Sequence, residues 1–245
     1  MIEGAYAFLV LTNTRLIICR DKNGIRPLSL GKLNGGYVVS SETCAMEVVG
    51  ATFIRDIEPG EVLILDRDGS KQSYHFASAC EDKMCAMEYV YFARPDSDIE
   101  GFNVHSFRKR CGKLLAHISP VKADIVIGVP DSSISCAIGY AEESGIPYEM
   151  GLIKNKYVGR TFIQPSQELR EKGVRMKLSP VRSLVNGKRV IVIDDSIVRG
   201  TTSRRIVRML KGAGAQEVHV RIGCPPICHP CFYGIDTSTY AELIS

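Results

Sequence analysis

Asp194 and Asp195 stand side by side at the end of Val190-Ile191-Val192-Ile193, and Ser196-Ile197-Val198-Arg199-Gly200-Thr201-Thr202 follows them. Four β-branched apolar residues in a row predict a strand buried on both faces of a parallel sheet. In open α/β sheets ligands bind outside the carboxyl ends of the strands, which puts the two carboxylates where a ligand should lie. The loop behind them suits a phosphate. Gly200 lets backbone approach closely, Ser196, Thr201 and Thr202 offer hydroxyl donors, and a helix predicted over Ser203–Lys211 opens with unpaired N–H groups. Adjacent carboxylates suit the cis-diol of a ribose with a Mg²⁺-bound pyrophosphate nearby. Either half of the pattern alone would describe an ordinary strand-to-helix turn; strand, carboxylate pair, hydroxyl-rich glycine loop and helix in this order favour the ligand.

The elements that must position this stretch repeat the same plan. Ile125–Val129 predicts a second buried strand, ending in Pro130-Asp131-Ser132-Ser133 with a helix over Ile134–Glu143 behind it, so a second ligand-facing loop sits beside the first. Ser132 also stands where a helix N-cap would. A helical spacing of apolar and basic residues runs from Asn103 to His117, and Glu217–Gly223 predicts a further strand. Between Lys154 and Ser179 the chain is cationic and interrupted, long for a connection between two buried strands.

The first third of the chain has a different character. Ala5–Leu11 and Arg15–Arg20 predict two strands joined by a Thr12-Asn13-Thr14 turn; further strands are predicted at Tyr37–Ser40, Thr52–Asp56 and Glu61–Asp66, the last two separated by Pro59-Gly60. Ser41 is expected to cap a short helix. No catalytic constellation appears in this region. The polar stretch Asp66–Asp82 is the expected domain boundary.

With 245 residues, 45% hydrophobic and 24% charged, the chain has ordinary globular composition and room for one large domain or two small ones. The net charge of +4 is dispersed, and no Lys/Arg run points to a nucleic-acid partner. No apolar run approaches the ~20 residues of a membrane span and no signal peptide opens the chain, so a cytoplasmic protein without a membrane partner is expected. Nine cysteines then argue for reduced thiols or metal ligation in place of a disulfide frame. Cys224-Pro-Pro-Ile-Cys228-His229-Pro-Cys231 has spacing that suggests a Cys/His metal site, although its prolines and the want of a second Cys/His pair weaken a four-ligand zinc site.

Asp194-Asp195-Ser-Ile-Val-Arg-Gly-Thr-Thr202 resembles the phosphoribosyl-pyrophosphate (PRPP) motif of type I phosphoribosyltransferases, and in this full form that of the glutamine PRPP amidotransferase (amidophosphoribosyltransferase) family. The segments 24–32, 85–97, 154–167 and 229–239 resemble the same family, as does the run from Val38 to Val62. The resemblance implies an α/β fold: a type I phosphoribosyltransferase domain over 79–245, a parallel sheet flanked by helices, preceded over 1–78 by the C-terminal part of an N-terminal-nucleophile (type 2) glutamine amidotransferase α+β domain. The family's glutaminase nucleophile is an N-terminal cysteine. Here the first residue is Met1 and the first cysteine, Cys19, falls within a predicted strand, so the chain is expected to start partway through that domain and to use ammonia at best.

What the resemblance implies for the site is specific. Asp194, Asp195, Lys154 and Arg160 would be catalytic. Ser196, Val198, Arg199, Gly200, Thr201, Thr202, Tyr157 and Thr161 would bind PRPP, with Lys154, Tyr157, Arg160 and Thr161 on a mobile loop over the pyrophosphate. Ser132, Asp194 and Asp195 would hold Mg²⁺. Cys85 and Cys231 match two of the four cysteines that hold a [4Fe–4S] cluster in the family's iron–sulfur branch; the other two lie beyond residue 245, which leaves partial ligation and inert thiols both open. Implied partners are PRPP, ammonia from glutamine, feedback purine nucleotides and further copies of the chain in a homo-oligomer. The implied reaction is a pentosyl (glycosyl) transfer forming 5-phosphoribosylamine and pyrophosphate, the first step of purine (IMP) biosynthesis. The alternative is a regulator of phosphoribosyltransferase fold that binds nucleotides without catalysis.

Overall fold

The computed structural model describes residues 2–77, 80–155, 178–235, 237 and 239–244. The chain packs as two compact units. One comprises Met1–His105 with Cys231–Asp236, the other Ser106–Pro230 with Thr237–Ser245. The boundary expected between 78 and 79 divides the chain by family resemblance, whereas packing keeps the residues that follow it, as far as His105, with the N-terminal strands.

The N-terminal unit is built from two antiparallel sheets. Strands β1 (Ala7–Leu11), β2 (Arg15–Arg20), β3 (Ser29–Leu33), β4 (Gly36–Ser40), β5 (Thr52–Asp56), β6 (Glu61–Asp66) and β7 (Lys71–His75) form a four-stranded sheet ordered β1-β2-β6-β7 and a three-stranded one ordered β4-β3-β5. Ile18 of β2 and Leu63 and Leu65 of β6 meet Leu30 of β3, with Leu28 and Ile57 beside it, in one apolar core. Helix α1 (Thr43–Val49) has Glu42 at its N-cap position, without a side-chain cap bond, so Ser41 is not its cap. β7 lies inside the polar stretch expected to be the domain boundary: Lys71–His75 is exposed, and its pairing with β6 comes from the main chain, leaving no apolar pattern to find. After it come a π-helical turn over Glu88–Phe92 and a short ribbon, β8 (Asp98–Ile99) with β9 (Phe102–Asn103).

The second unit holds the predicted parallel sheet. β10 (Ile125–Gly128), β13 (Arg189–Asp194) and β14 (Glu217–Ile222) pair in parallel in that order, with β13 central and Tyr148 bridging to the outer side of β10. Alternate residues feed two cores. Ile125, Ile127, Val190 and Val192 pack with Ile206 and Leu210 on one face, and Val126, Ile191 and Ile193 with Cys136, Ala137 and Tyr140 on the other. The helices on these faces are α5 (Thr201–Gly212) for the first and α2 (Val104–Ile118) with α3 (Ile134–Ser144) for the second. An apolar run without alternation is what burial on both faces demands. α2 and α3 approach backbone to backbone: a Cβ on Gly139 would lie 2.0 Å from the Lys109 carbonyl oxygen. β11 (Leu152–Lys154) pairs antiparallel with β12 (Leu178–Pro180), and the short helix α4 (Arg182–Val185) leads into β13. Among the described residues no helix is long and apolar enough to cross a membrane.

Candidate active site

Asp194 ends the central strand, and its carbonyl accepts the N–H of Gly223 at 2.8 Å, which ties it to the end of β14. The residue is 8% exposed. Oδ1 accepts the Asp195 N–H at 3.0 Å and lies 3.4 Å from the Ser133 hydroxyl. Asp195 is less buried; its Oδ2 accepts the Ser132 hydroxyl and its Oδ1 the Ser196 hydroxyl at 2.7 Å. Burial first, and then the charge of Asp195, push the Asp194 carboxyl up to about 6. Two neighbouring carboxylates, one of them desolvated, form a site that a cation would relieve.

The two ligand-facing loops come together here. Ser133 occupies the N-cap position of α3 without capping it, and its hydroxyl faces Asp194. Ser132, the residue the sequence left between capping and ligation, bonds Asp195. Sequence reasoning passed over Ser133 and Gly223. The second hydroxyl of Pro-Asp-Ser-Ser was the available signal for the first; for the second, a main-chain partner, there was none.

The phosphate-suited loop runs from Ser196 to Thr202. Gly200 sits at φ +69 as the N-cap of α5, and Thr201 and Thr202 are exposed in the first turn behind it. The Ile244 N–H donates to the Val198 carbonyl at 2.9 Å, and a Cβ on Gly200 would meet Ile244 Cδ1 at 2.8 Å. Glycine is therefore required there both for backbone conformation and for space. Arg199 is exposed beside it.

Lys154, at the end of β11, places Nζ 2.5 Å from Asp131 Oδ2. Its β partner is Leu178, so the chain on either side of residues 156–177 starts and finishes side by side. Tyr157, Arg160 and Thr161 lie outside the described residues.

The cysteines divide. Burial first, followed by the charges of Asp195 and then Asp194, pushes the Cys224 thiol up to about 11; burial likewise takes Cys136 up to about 12, so both stay protonated. The Cys/His site suggested by spacing is not assembled. Cys228 turns its Sγ to the Pro226 carbonyl, His229 Nδ1 faces the Tyr240 hydroxyl, and Cys231 packs in the other unit. Among the described residues no three or more His, Cys, Asp or Glu are grouped to hold a metal ion. Cys85 and Cys231 belong to the same unit, and Cys231 Sγ accepts the Tyr233 N–H at 3.3 Å.

Known proteins match this arrangement. Residues 103–224 match the phosphoribosyl transferase domain. An amidophosphoribosyltransferase of Bacillus subtilis is 66% identical over 245 residues, covering 100% of this chain and 51% of the relative. One of Mycobacterium tuberculosis (strain ATCC 25618 / H37Rv) is 56% identical over 244 residues, covering 100% of this chain and 46% of the relative. The chain thus spans about half the length of the curated relatives it matches. The solved structure of the B. subtilis glutamine PRPP amidotransferase complexed with ADP and GMP superposes with a TM-score of 0.91 at 66% identity, over 99% of this chain and 53% of that one. A structure described as the allosteric regulatory enzyme of purine biosynthesis gives 0.90, also at 66% identity, over 98% of this chain and 52% of that one. By sequence and by fold, the chain is similar over its whole length to amidophosphoribosyltransferases, of which it spans about half.

Proposed function

We propose that the second unit carries out phosphoribosyl transfer, converting PRPP and ammonia into 5-phosphoribosylamine and pyrophosphate as the first step of de novo purine biosynthesis. The observation that supports this most is the Asp194–Asp195 pair at the end of the central strand, each carboxylate in contact with a serine of the neighbouring loop. The ammonia lone pair forms the new bond to the anomeric carbon, the C1–O bond breaks with its electron pair leaving on pyrophosphate, and the surplus proton goes to solvent. Asp194 and Asp195 hold the ribose hydroxyls and favour positive charge at the anomeric carbon. Ser196, Val198, Arg199, Gly200, Thr201 and Thr202 hold the 5′-phosphate, and that remote binding positions the reacting centre. Lys154, with Tyr157, Arg160 and Thr161, attends the pyrophosphate, and closure over it would keep water from the activated sugar.

Ser132, Asp194 and Asp195 would hold Mg²⁺, and its positive charge would stabilise pyrophosphate as a leaving group. One hydroxyl and two carboxylates suit an ion that completes its shell with water and substrate phosphate. Cys85 and Cys231 would supply two thiolates of a four-thiolate [4Fe–4S] set. The N–H donated to Cys231 Sγ is the kind of contact that tunes a ligating sulfur. We read the protein as a cytoplasmic homo-oligomer with purine nucleotides as feedback ligands; a similar enzyme solved with ADP and GMP supports the nucleotide part of that reading.

The test is pyrophosphate release from PRPP and Mg²⁺ with ammonium as nitrogen source. Release that needs both Mg²⁺ and ammonium supports the proposal. Folded protein that binds PRPP or nucleotide without turnover would favour the non-catalytic regulator.

A further inference from the structure

Arg26 touches the segments that carry Cys85 and Cys231. Its Nη1 donates to Glu88 Oε1 at 2.7 Å and its Nη2 to the Tyr233 carbonyl at 3.0 Å, while its guanidinium carbon lies 5.4 Å from the centre of the Phe92 ring. Glu88 sits one turn after Cys85, its N–H bonded to the Cys85 carbonyl at 2.9 Å, and the Cys85 N–H bonds the carbonyl of Ile25, the residue before Arg26, at 3.1 Å. Tyr233 gives its own N–H to Cys231 Sγ at 3.3 Å. From the Cys85 main chain and from the Cys231 thiol, a short run of hydrogen bonds therefore leads back to Ile25–Arg26. Space is close at the same point: a Cβ on Gly234 would come within 3.1 Å of Arg26 Nη2.

We propose that Arg26 is the positioning residue that sets Cys231 opposite Cys85, by clasping the short segment Cys231–Asp236 to the turn that carries Glu88. A planar guanidinium with separate N–H groups can serve a carboxylate and a carbonyl at once; the single ammonium of lysine is a poor substitute for that fork. The bearing of this clasp on an iron–sulfur cluster rests on the ligand reading proposed above. The placement of the thiols does not.

The test reads thiol placement directly, without metal and without turnover. The reduced chain is treated with the short bifunctional reagent bismaleimidoethane, digested, and searched by mass spectrometry for the Cys85–Cys231 cross-linked peptide. The unmodified chain should give it. Arg26→Gln should lower its yield at least tenfold and Arg26→Lys severalfold, with amide-exchange protection of β2 and β6 retained. Should Arg26→Gln fail to fold, Glu88→Gln, which keeps an acceptor but removes the charge, decides the matter with an expected loss of about threefold. No cross-link in the unmodified chain, or a yield unchanged by the substitution that folds, overturns the proposal. Phosphoribosyl transfer by the other unit is assayed separately, so its failure would leave this result standing.

Discussion

Asp195 donates its main-chain N–H to the carboxylate of the residue before it, Asp194, at 3.0 Å, while its own carboxylate turns to Ser132 and Ser196. Adjacent residues of one strand end thus occupy different surroundings, the first nearly buried and pushed up to about 6, the second reached by two hydroxyls. Ser132 on Asp195 and Ser133 on Asp194 come from the loop after β10, whereas Ser196 belongs to the pair's own loop. The geometry of the carboxylates therefore depends on two strand ends, and each should be separately sensitive to mutation.

Ser132→Ala removes one of the two hydroxyls on Asp195 and leaves the sheet intact. Turnover with PRPP and ammonium should fall about tenfold, within the range that placement of a reacting group commands, and the Mg²⁺ needed for half-maximal rate should rise. Unchanged Mg²⁺ dependence would leave Ser132 with a purely structural role.

Lys154 and Asp131 form an exposed ion pair, their side chains 55% and 68% accessible. Such a pair contributes little stability, so Lys154→Ala should change unfolding free energy by less than about 1 kcal/mol. If Lys154 attends the pyrophosphate, turnover should nevertheless fall by about two orders of magnitude, the loss of roughly 3 kcal/mol of transition-state stabilisation. Urea unfolding beside the pyrophosphate assay separates the two; a loss of stability equal to the loss of activity would contradict the assignment.

Glu61 carries a pH prediction for the N-terminal unit. Burial alone would raise its carboxyl, but Arg55 through both Nη atoms, the Glu58 N–H and the Ser73 hydroxyl hold it at about 2. A depressed carboxylate stabilises the fold above its unfolded value and loses that stabilisation as pH falls toward the folded one. Between about pH 4.5 and 2 this group should cost roughly 2 kcal/mol, reduced from the full linkage value because Arg55 is partly exposed. Glu61→Gln should flatten that part of a pH series of urea midpoints. An unchanged slope would mean the contacts do not favour the ionised form.

Gly139→Ala tests the packing behind the site. The added Cβ would fall 2.0 Å from the Lys109 carbonyl oxygen, a main-chain atom that cannot swing away, so α2 and α3 must separate. Destabilisation of about 3 kcal/mol is expected from overpacking at a backbone contact, read as a lower urea midpoint. A neutral result would show that the helices have room to part.

The sequence made the parallel sheet legible because β10 and β13 are buried on both faces and spell it in unbroken Val and Ile. Asp194, Asp195, Ser132 and the Gly200 loop were legible for the same reason: strand ends mark where ligands gather. Arg26 was not singled out, since its partners are a carboxylate 62 positions away and a main-chain carbonyl 207 positions away, which no local pattern encodes. β7 was hidden by its exposure. The Cys224–Cys231 spacing misled because Cys228 turns to the Pro226 carbonyl and His229 to the Tyr240 hydroxyl, and among the described residues no three His, Cys, Asp or Glu are grouped to hold a metal ion.

The most direct measurement is pyrophosphate release from PRPP, Mg²⁺ and ammonium by the chain and by Asp194→Asn, with thermal unfolding in metal-free buffer alongside. Removing one charge from a buried like-charge pair should leave the fold as stable or more so, while turnover drops by at least two orders of magnitude. Wild-type turnover lost in a variant that melts no lower is the predicted result. Turnover that survives Asp194→Asn would contradict the account, because the carboxylate pair would then not be where the chemistry is done.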